Sequence, residues 1–249
     1  MAGLQVVVGK GTDAFAAPEI EAWVRTTLVS GRRLYEAAAL EAVAMLEGRG
    51  PVPVVSTELG RWVVRRYRRG GRLAAPLLGE RYLRLGVERP LREAEASAEA
   101  RCRGIATPRV VAGAVYRNGP FYRADLITEF IADASDLEDT LFRVDHSDSE
   151  RAEILCGVGK LVGKSAAAGI EHRDLNARNV LLERGLHGFV PLLLDLDRCR
   201  VLPPGVAGNP APMLKRLVRS LRKHSKLTRK AIGLNEWRVL SESTVSGIG

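Results

Sequence analysis

His172-Arg173-Asp174-Leu175-Asn176-Ala177-Arg178-Asn179 decides how this chain is read, because it sets a carboxylate and a carboxamide five residues apart in one loop. Before it, Ser147 and Glu150 form a capping box opening a helix whose apolar positions, Ile154, Leu155, Val158, Leu161 and Val162, recur at helical spacing. Gly169 should end that helix. After the loop, Val180–Leu182 and Phe189–Leu196 read as two short strands, the second delivering Asp195-Leu196-Asp197. Phosphoryl transfer asks little covalent chemistry of a protein. It needs a carboxylate beside the attacking hydroxyl, ligands for a metal on the phosphates, and a basic residue on the nucleotide. Asp174 takes the first role, orienting an acceptor hydroxyl and taking its proton late in the reaction. Asn179 and Asp195 are candidate Mg2+ ligands, and Asp197 is either a further ligand or a solvated turn residue. His172 supports the loop by hydrogen bonding.

Upstream, Val52 to Tyr67 reads as a hairpin turning at Leu59-Gly60. Alternation along its second strand puts Val63, Arg65 and Tyr67 on one face and Trp62, Val64 and Arg66 on the other. Arg65 stands where a kinase strand usually presents lysine, and a guanidinium can grip phosphate oxygens with two parallel bonds. Its partner should be a glutamate on the helix predicted from Pro90 to Arg103, capped by Gly104. Glu93, Glu95 and Glu99 all qualify; the face through Leu91, Ala98 and Cys102 favours Glu95, whereas apolar residues three and seven positions further on favour Glu93. Gly48-Arg49-Gly50 precedes the first strand of the hairpin and is a candidate phosphate-binding turn.

Elsewhere, residues 18–47 read as one or two helices, the second from Leu34 to Leu46. Strands are expected around Val110–Tyr116 and Tyr122–Phe130, then a short helix capped by Ser135 with Glu138, and a basic helical tail from about Pro212. The apolar runs are too short to span a bilayer, and the opening residues do not read as a secretory signal, so a cytoplasmic location is expected. Cys102, Cys156 and Cys199 lack the spacing of a zinc site or a disulfide framework. A net charge of +9 calls for an anionic partner. An aromatic content of 5% leaves little stacking surface, and no nucleic-acid partner is expected.

Several stretches together resemble the 3-deoxy-D-manno-octulosonic acid (Kdo) kinases of the lipopolysaccharide kinase group. They are Gly48-Arg-Gly50, Val64-Arg-Arg-Tyr-Arg-Arg-Gly-Gly71, Gly104-Ile-Ala-Thr-Pro108, Tyr122-Arg-Ala-Asp-Leu-Ile-Thr-Glu129, the His172–Asn179 loop, Leu194-Asp-Leu-Asp197 and Leu214–Lys223. The resemblance implies an α+β, bilobal protein-kinase-like fold with a shortened helical C-terminal lobe. On this reading residues 1–40 are an N-terminal helical extension and 41–249 the kinase-like domain, with lobes of about 41–131 and 132–249. It implies ATP with Mg2+, and transfer of the γ-phosphate to a hydroxyl of a Kdo sugar on a lipid A precursor. It also implies that Glu129 begins the hinge beside adenine, and alignment to Gly104 prefers Glu93 over Glu95. Lys215, Arg216, Arg219, Arg222, Lys223, Lys226, Arg229 and Lys230 then form a positive surface for the glycolipid phosphates or the anionic inner leaflet, or a solvated helix. The competing expectations are a heptose kinase, a small atypical protein kinase and a nucleotide-binding pseudokinase.

Overall fold

Runs of strand-forming residues separated by turn residues become, in the computed structural model and among the described residues, three antiparallel sheets of eight, three and two strands. The structure describes residues 5–9, 11–47, 50–68, 79–84, 86–186 and 188–247. Its elements begin with β1 (Gln5–Gly9), β2 (Thr12–Ala16), α1 (Pro18–Val29), α2 (Leu34–Glu41), β3 (Ala44–Leu46), β4 (Val52–Thr57), β5 (Gly60–Arg66) and β6 (Tyr82–Leu83). There follow α3 (Arg89–Cys102), β7 (Val110–Asn118), β8 (Phe121–Glu129), β9 (Ala134–Asp136), α4 (Leu137–Phe142) and α5 (Asp148–Ala167). The chain continues through β10 (Ile170–Glu171), β11 (Val180–Gly185), β12 (Gly188–Leu193), β13 (Arg200–Val201), α6 (Pro210–Thr228) and α7 (Leu234–Ser246). Short 3-10 turns occupy Ala177–Asn179 and Leu196–Arg198. Two units divide the chain: Met1–Glu95 with Arg109–Phe130, and Ala96–Pro108 with Ile131–Gly249.

In the first unit the strands run in the order β1-β2-β7-β8-β5-β4-β3, with β6 added to β8. Period-two alternation sorts the side chains. Trp62, Val64 and Ile127 pack with Ile20 and Val24 of α1 and Leu34 of α2 on one side. Tyr67, Leu126, Phe15 and Tyr82 pack in a separate cluster with Ala94 of α3. Two expectations fail in this unit. Residues 1–40 are not a helical extension, because the β1–β2 hairpin joins the sheet through β7, with Ala14 opposite Ala114. The helix expected from Leu34 to Leu46 stops at Glu41, and β3 pairs with β4 from Ala44 opposite Val54 to Leu46 opposite Val52. Ladder bonds there outweigh the helical preference of Ala, Met and Leu.

The second unit is built around α5. Its Ser147–Glu150 capping box forms as expected, the Ser147 amide donating to Glu150 Oε2 at 2.9 Å. Ile154, Leu155, Val158, Leu161 and Val162 enter a core with Leu141, Leu175, Leu182, Leu217 and Leu240. Gly159 permits α7 to press onto α5: a Cβ there would lie 2.6 Å from Leu240 O and 2.8 Å from Ser243 Cβ. The short helix α4 is capped by Asp136, whose Oδ1 accepts from the Asp139 amide at 2.8 Å, rather than by Ser135, which lies in β9. The basic tail is two helices, broken where Arg229 takes φ +57°. Among the described residues no helix is long and apolar enough to cross a membrane.

Candidate active site

Gly169, at φ +73°, turns the chain from α5 into β10, and the His172–Asn179 loop follows. His172 is buried beneath it. Its Nδ1 accepts from the Asp174 amide at 3.2 Å, and its Nε2 lies 2.8 Å from Leu194 O. An acceptor at Nδ1 and a carbonyl at Nε2 require the neutral ring protonated on Nε2. Burial, which holds the imidazole pKa below its ordinary value, keeps it so. The imidazole therefore ties the main chain of Asp174 to the peptide just before Asp195.

Asn179 makes the second tie. Its Nδ2 donates to Asp174 O at 3.0 Å, and its own carbonyl accepts from the Leu194 amide at 2.9 Å. Val180 lies opposite Leu193 in the β11–β12 ladder, so the hairpin brings Asn179 beside Leu194 although the two are far apart in sequence. The strand ends at Leu193, and Asp195 follows in the left-handed region at φ +62°, ψ +57°. An L-residue pays about 1 kcal/mol for that conformation. The Asp174 side chain is 52% exposed, with Arg198 Nη1 at 3.8 Å from its Oδ2. Asp197 is only 4% exposed in its 3-10 turn. Asp174, Asn179 and Asp195 are thus held by one set of bonds inside the second unit.

The other expected residues lie in the first unit. Arg65 Nη2 meets Glu93 Oε1 at 2.5 Å, and Glu93 is 2% exposed. Glu95 is exposed and Glu99 pairs with Arg103 at 2.7 Å, so among the three glutamates it is Glu93 that meets Arg65. The face through Ala98 and Cys102 is exposed, which is why it pointed to the wrong glutamate. Tyr67 is a further partner that was not anticipated: its hydroxyl donates to Glu93 Oε2 at 2.5 Å. Two-residue spacing from Arg65 on the same strand face was the available signal. The Glu129 carboxylate accepts from the Arg109 amide at 2.7 Å and stands at the end of β8. Gly48 lies outside the described residues. Gly50 sits in the connection from β3 to β4, flanked by strands on both sides, and a Cβ there would lie 2.9 Å from Arg68 Nη1.

Among the described residues no group of three or more His, Cys, Asp or Glu side chains forms a ready metal cage. A cation shared with phosphates needs only one or two carboxylates from the protein. Asn179 fits as well: with Nδ2 committed to a carbonyl, Oδ1 is the atom it offers a hard cation.

A sheet unit, a helical unit and an aspartate–asparagine loop tied to a second aspartate make up an α+β fold with the parts that phosphoryl transfer needs. The lipopolysaccharide kinase (Kdo/WaaP) family profile matches residues 35–241, and the chain belongs to that family. A 3-deoxy-D-manno-octulosonic acid kinase of Xanthomonas oryzae pv. oryzae is 36% identical over 184 residues, covering 71% of this chain and 68% of the relative. The enzyme of the same name from Stenotrophomonas maltophilia is 34% identical over 178 residues, with the same coverage of 71% and 68%. Among solved structures, WaaP in complex with acyl carrier protein superposes with a TM-score of 0.56 at 18% identity, covering 97% of this chain and 89% of that one. At that identity the likeness speaks for the fold.

Proposed function

We propose that the chain transfers the γ-phosphate of ATP to a hydroxyl of a Kdo sugar on a lipid A precursor. The observation that carries this reading is its similarity to curated Kdo kinases over 184 residues, a stretch long enough to take in both units. Asp174, half exposed and fixed through its main chain, orients the acceptor hydroxyl and takes its proton late in the transfer. Asn179, Asp195 and Asp197 would hold Mg2+ on the phosphates. A bound Mg2+ supplies charge neutralisation and orientation of the phosphate oxygens. Arg65, braced by Glu93, grips the nucleotide phosphates as a guanidinium fork. Gly48 and Gly50 contribute to binding the phosphates, and the place of Gly50 between two paired strands supports the reading. Glu129, whose carboxylate accepts from the Arg109 amide at the end of β8, begins the hinge beside the adenine.

The cationic helix α6 supports placement at the anionic face of the inner membrane. Lys215, Arg219, Arg222, Lys223 and Lys226 are exposed along it, and no acidic residue interrupts Pro210–Thr228. Binding to vesicles containing anionic lipid should be lost at moderate salt after charge reversal of these positions.

The deciding experiment is transfer of labelled γ-phosphate from ATP to purified Kdo-bearing lipid A precursor, with Asp174→Asn and Asp195→Asn as controls. Label in the lipid that both substitutions abolish is the expected result. Label that enters only a heptose-bearing core or a protein acceptor would overturn the Kdo assignment and leave the phosphotransferase standing.

A further inference from the structure

Arg178 immediately precedes Asn179, and the bonds it makes lead away from the loop. Its Nε meets Glu138 Oε2 at 2.5 Å and its Nη2 meets Oε1 at 2.8 Å, a two-pronged pair with the first turn of α4. Glu138 is nearly enclosed, its side chain 8% exposed, and His224 Nδ1 of α6 approaches the same Oε1 at 3.1 Å. The ring of His224 packs on Phe142, with centroids 6.3 Å apart, at the end of α4. The guanidinium beside Glu138 holds its carboxyl below the ordinary carboxylate range.

Two further bonds join α6 to the same loop. Ser220 Oγ accepts from the Ala177 amide at 3.2 Å, and the His172 amide donates to Met213 Sδ at 3.1 Å. Met213, Ser220 and His224 recur at seven and four residues, so one face of α6 meets the loop. Leu217 and Leu221, fully buried, fix that face in the core. The exposed cations Lys215, Arg219 and Lys226 occupy the solvent side of the same helix.

From this we infer that Glu138, Arg178 and His224 are positioning residues for the catalytic loop. They make α6 the part against which Asn179 and Asp174 are set. Glu138 is the hub: it meets both the guanidinium and the imidazole, with one carboxylate oxygen in common between them. A guanidinium held at two points fixes the direction in which the loop leaves Arg178, and Asn179 is the next residue. Ordering at this point is worth far more to rate than to stability, because a displacement of about 1 Å at a reacting group costs about a hundredfold. The inference rests on the reading of Asp174 and Asn179 as catalytic residues.

The test is steady-state transfer from ATP to the Kdo-bearing lipid A precursor by the full chain, with kcat and KM measured separately and folding followed by circular dichroism. Arg178→Ala should lower kcat about ten- to hundredfold with KM for ATP within about twofold of wild type. Arg178→Lys should recover only part of this, since an ammonium meets one oxygen where the fork met two. His224→Asn should retain most of the rate, because the carboxamide Nδ2 takes the place of ring Nδ1; His224→Ala should not. Arg178→Ala with unchanged kcat, alongside an inactive Asp174→Asn, would overturn the positioning role and leave the catalytic reading intact. An Asp174→Asn protein as active as wild type would overturn both. Should Arg178→Ala fail to fold, the His224 pair decides: equal rates for His224→Asn and His224→Ala would remove the role.

Discussion

The two units hold their candidate active residues in different ways. In the first, Arg65 and Tyr67 converge on Glu93, a buried carboxylate serving two side chains of one strand. In the second, Asp174 and Asp195 are reached through their main chains, by the His172 ring and by Asn179. A charge-centred arrangement depends on three side-chain identities and on salt. A main-chain arrangement sets the positions of the aspartates through peptide groups and an uncharged ring.

The sharpest way to break that contrast is Asn179→Ala. It removes one tie and one proposed metal ligand while leaving the loop's apolar anchors Leu175 and Ala177 in the core. Activity should fall by about two to three orders of magnitude with the fold retained, read from kcat and circular dichroism.

Next comes Asp125 in the first unit. Its Oδ2 accepts from the Tyr35 amide at 3.0 Å and from Tyr116 Oη at 2.9 Å, and burial pushes its pKa from 3.8 up to about 6. Between those values the folded chain holds a proton that the unfolded chain has lost, so stability falls as pH rises through the window. The loss amounts to about 3 kcal/mol. Urea unfolding of wild type and Asp125→Asn from pH 4 to pH 7 should show this slope only in wild type. Equal slopes would mean that Asp125 is not the source.

Glu93→Ala should follow, costing about 2 kcal/mol of stability because the partly exposed Arg65 can find water. Its kinetic mark should be a raised KM for ATP. Tyr67→Phe should be the mildest, about 1 kcal/mol, with kcat almost unchanged. If Tyr67→Phe equals Glu93→Ala, the hydroxyl is the stronger bond of the two.

Much of this was legible beforehand where local chemistry and tertiary structure agree. The β4–β5 hairpin, the helix ending before Gly104, the Ser147 cap and the His172–Asn179 loop each carry a turn residue, a cap or a periodic run that the packed chain keeps. The missed elements are those decided by distant partners. Thr12–Ala16 has weak strand character and becomes a strand because β7 offers it a ladder. Ala44–Leu46 has helical preference and is claimed by β4. The choice of Glu93 over Glu95 depended on which side of α3 the sheet covers, and the links from Arg178 through Glu138 to His224 span three elements that no local pattern connects.

The enclosed ring of His172 also offers a way to listen to the protein at work. Both nitrogens are engaged by peptide groups, one from the loop and one just past the end of β12. A proton on Nε2 so sheltered exchanges slowly with water and should give a discrete resonance far from the other imidazoles. That single line would report, without any substrate label, whether loop and strand stay in register while the protein turns over.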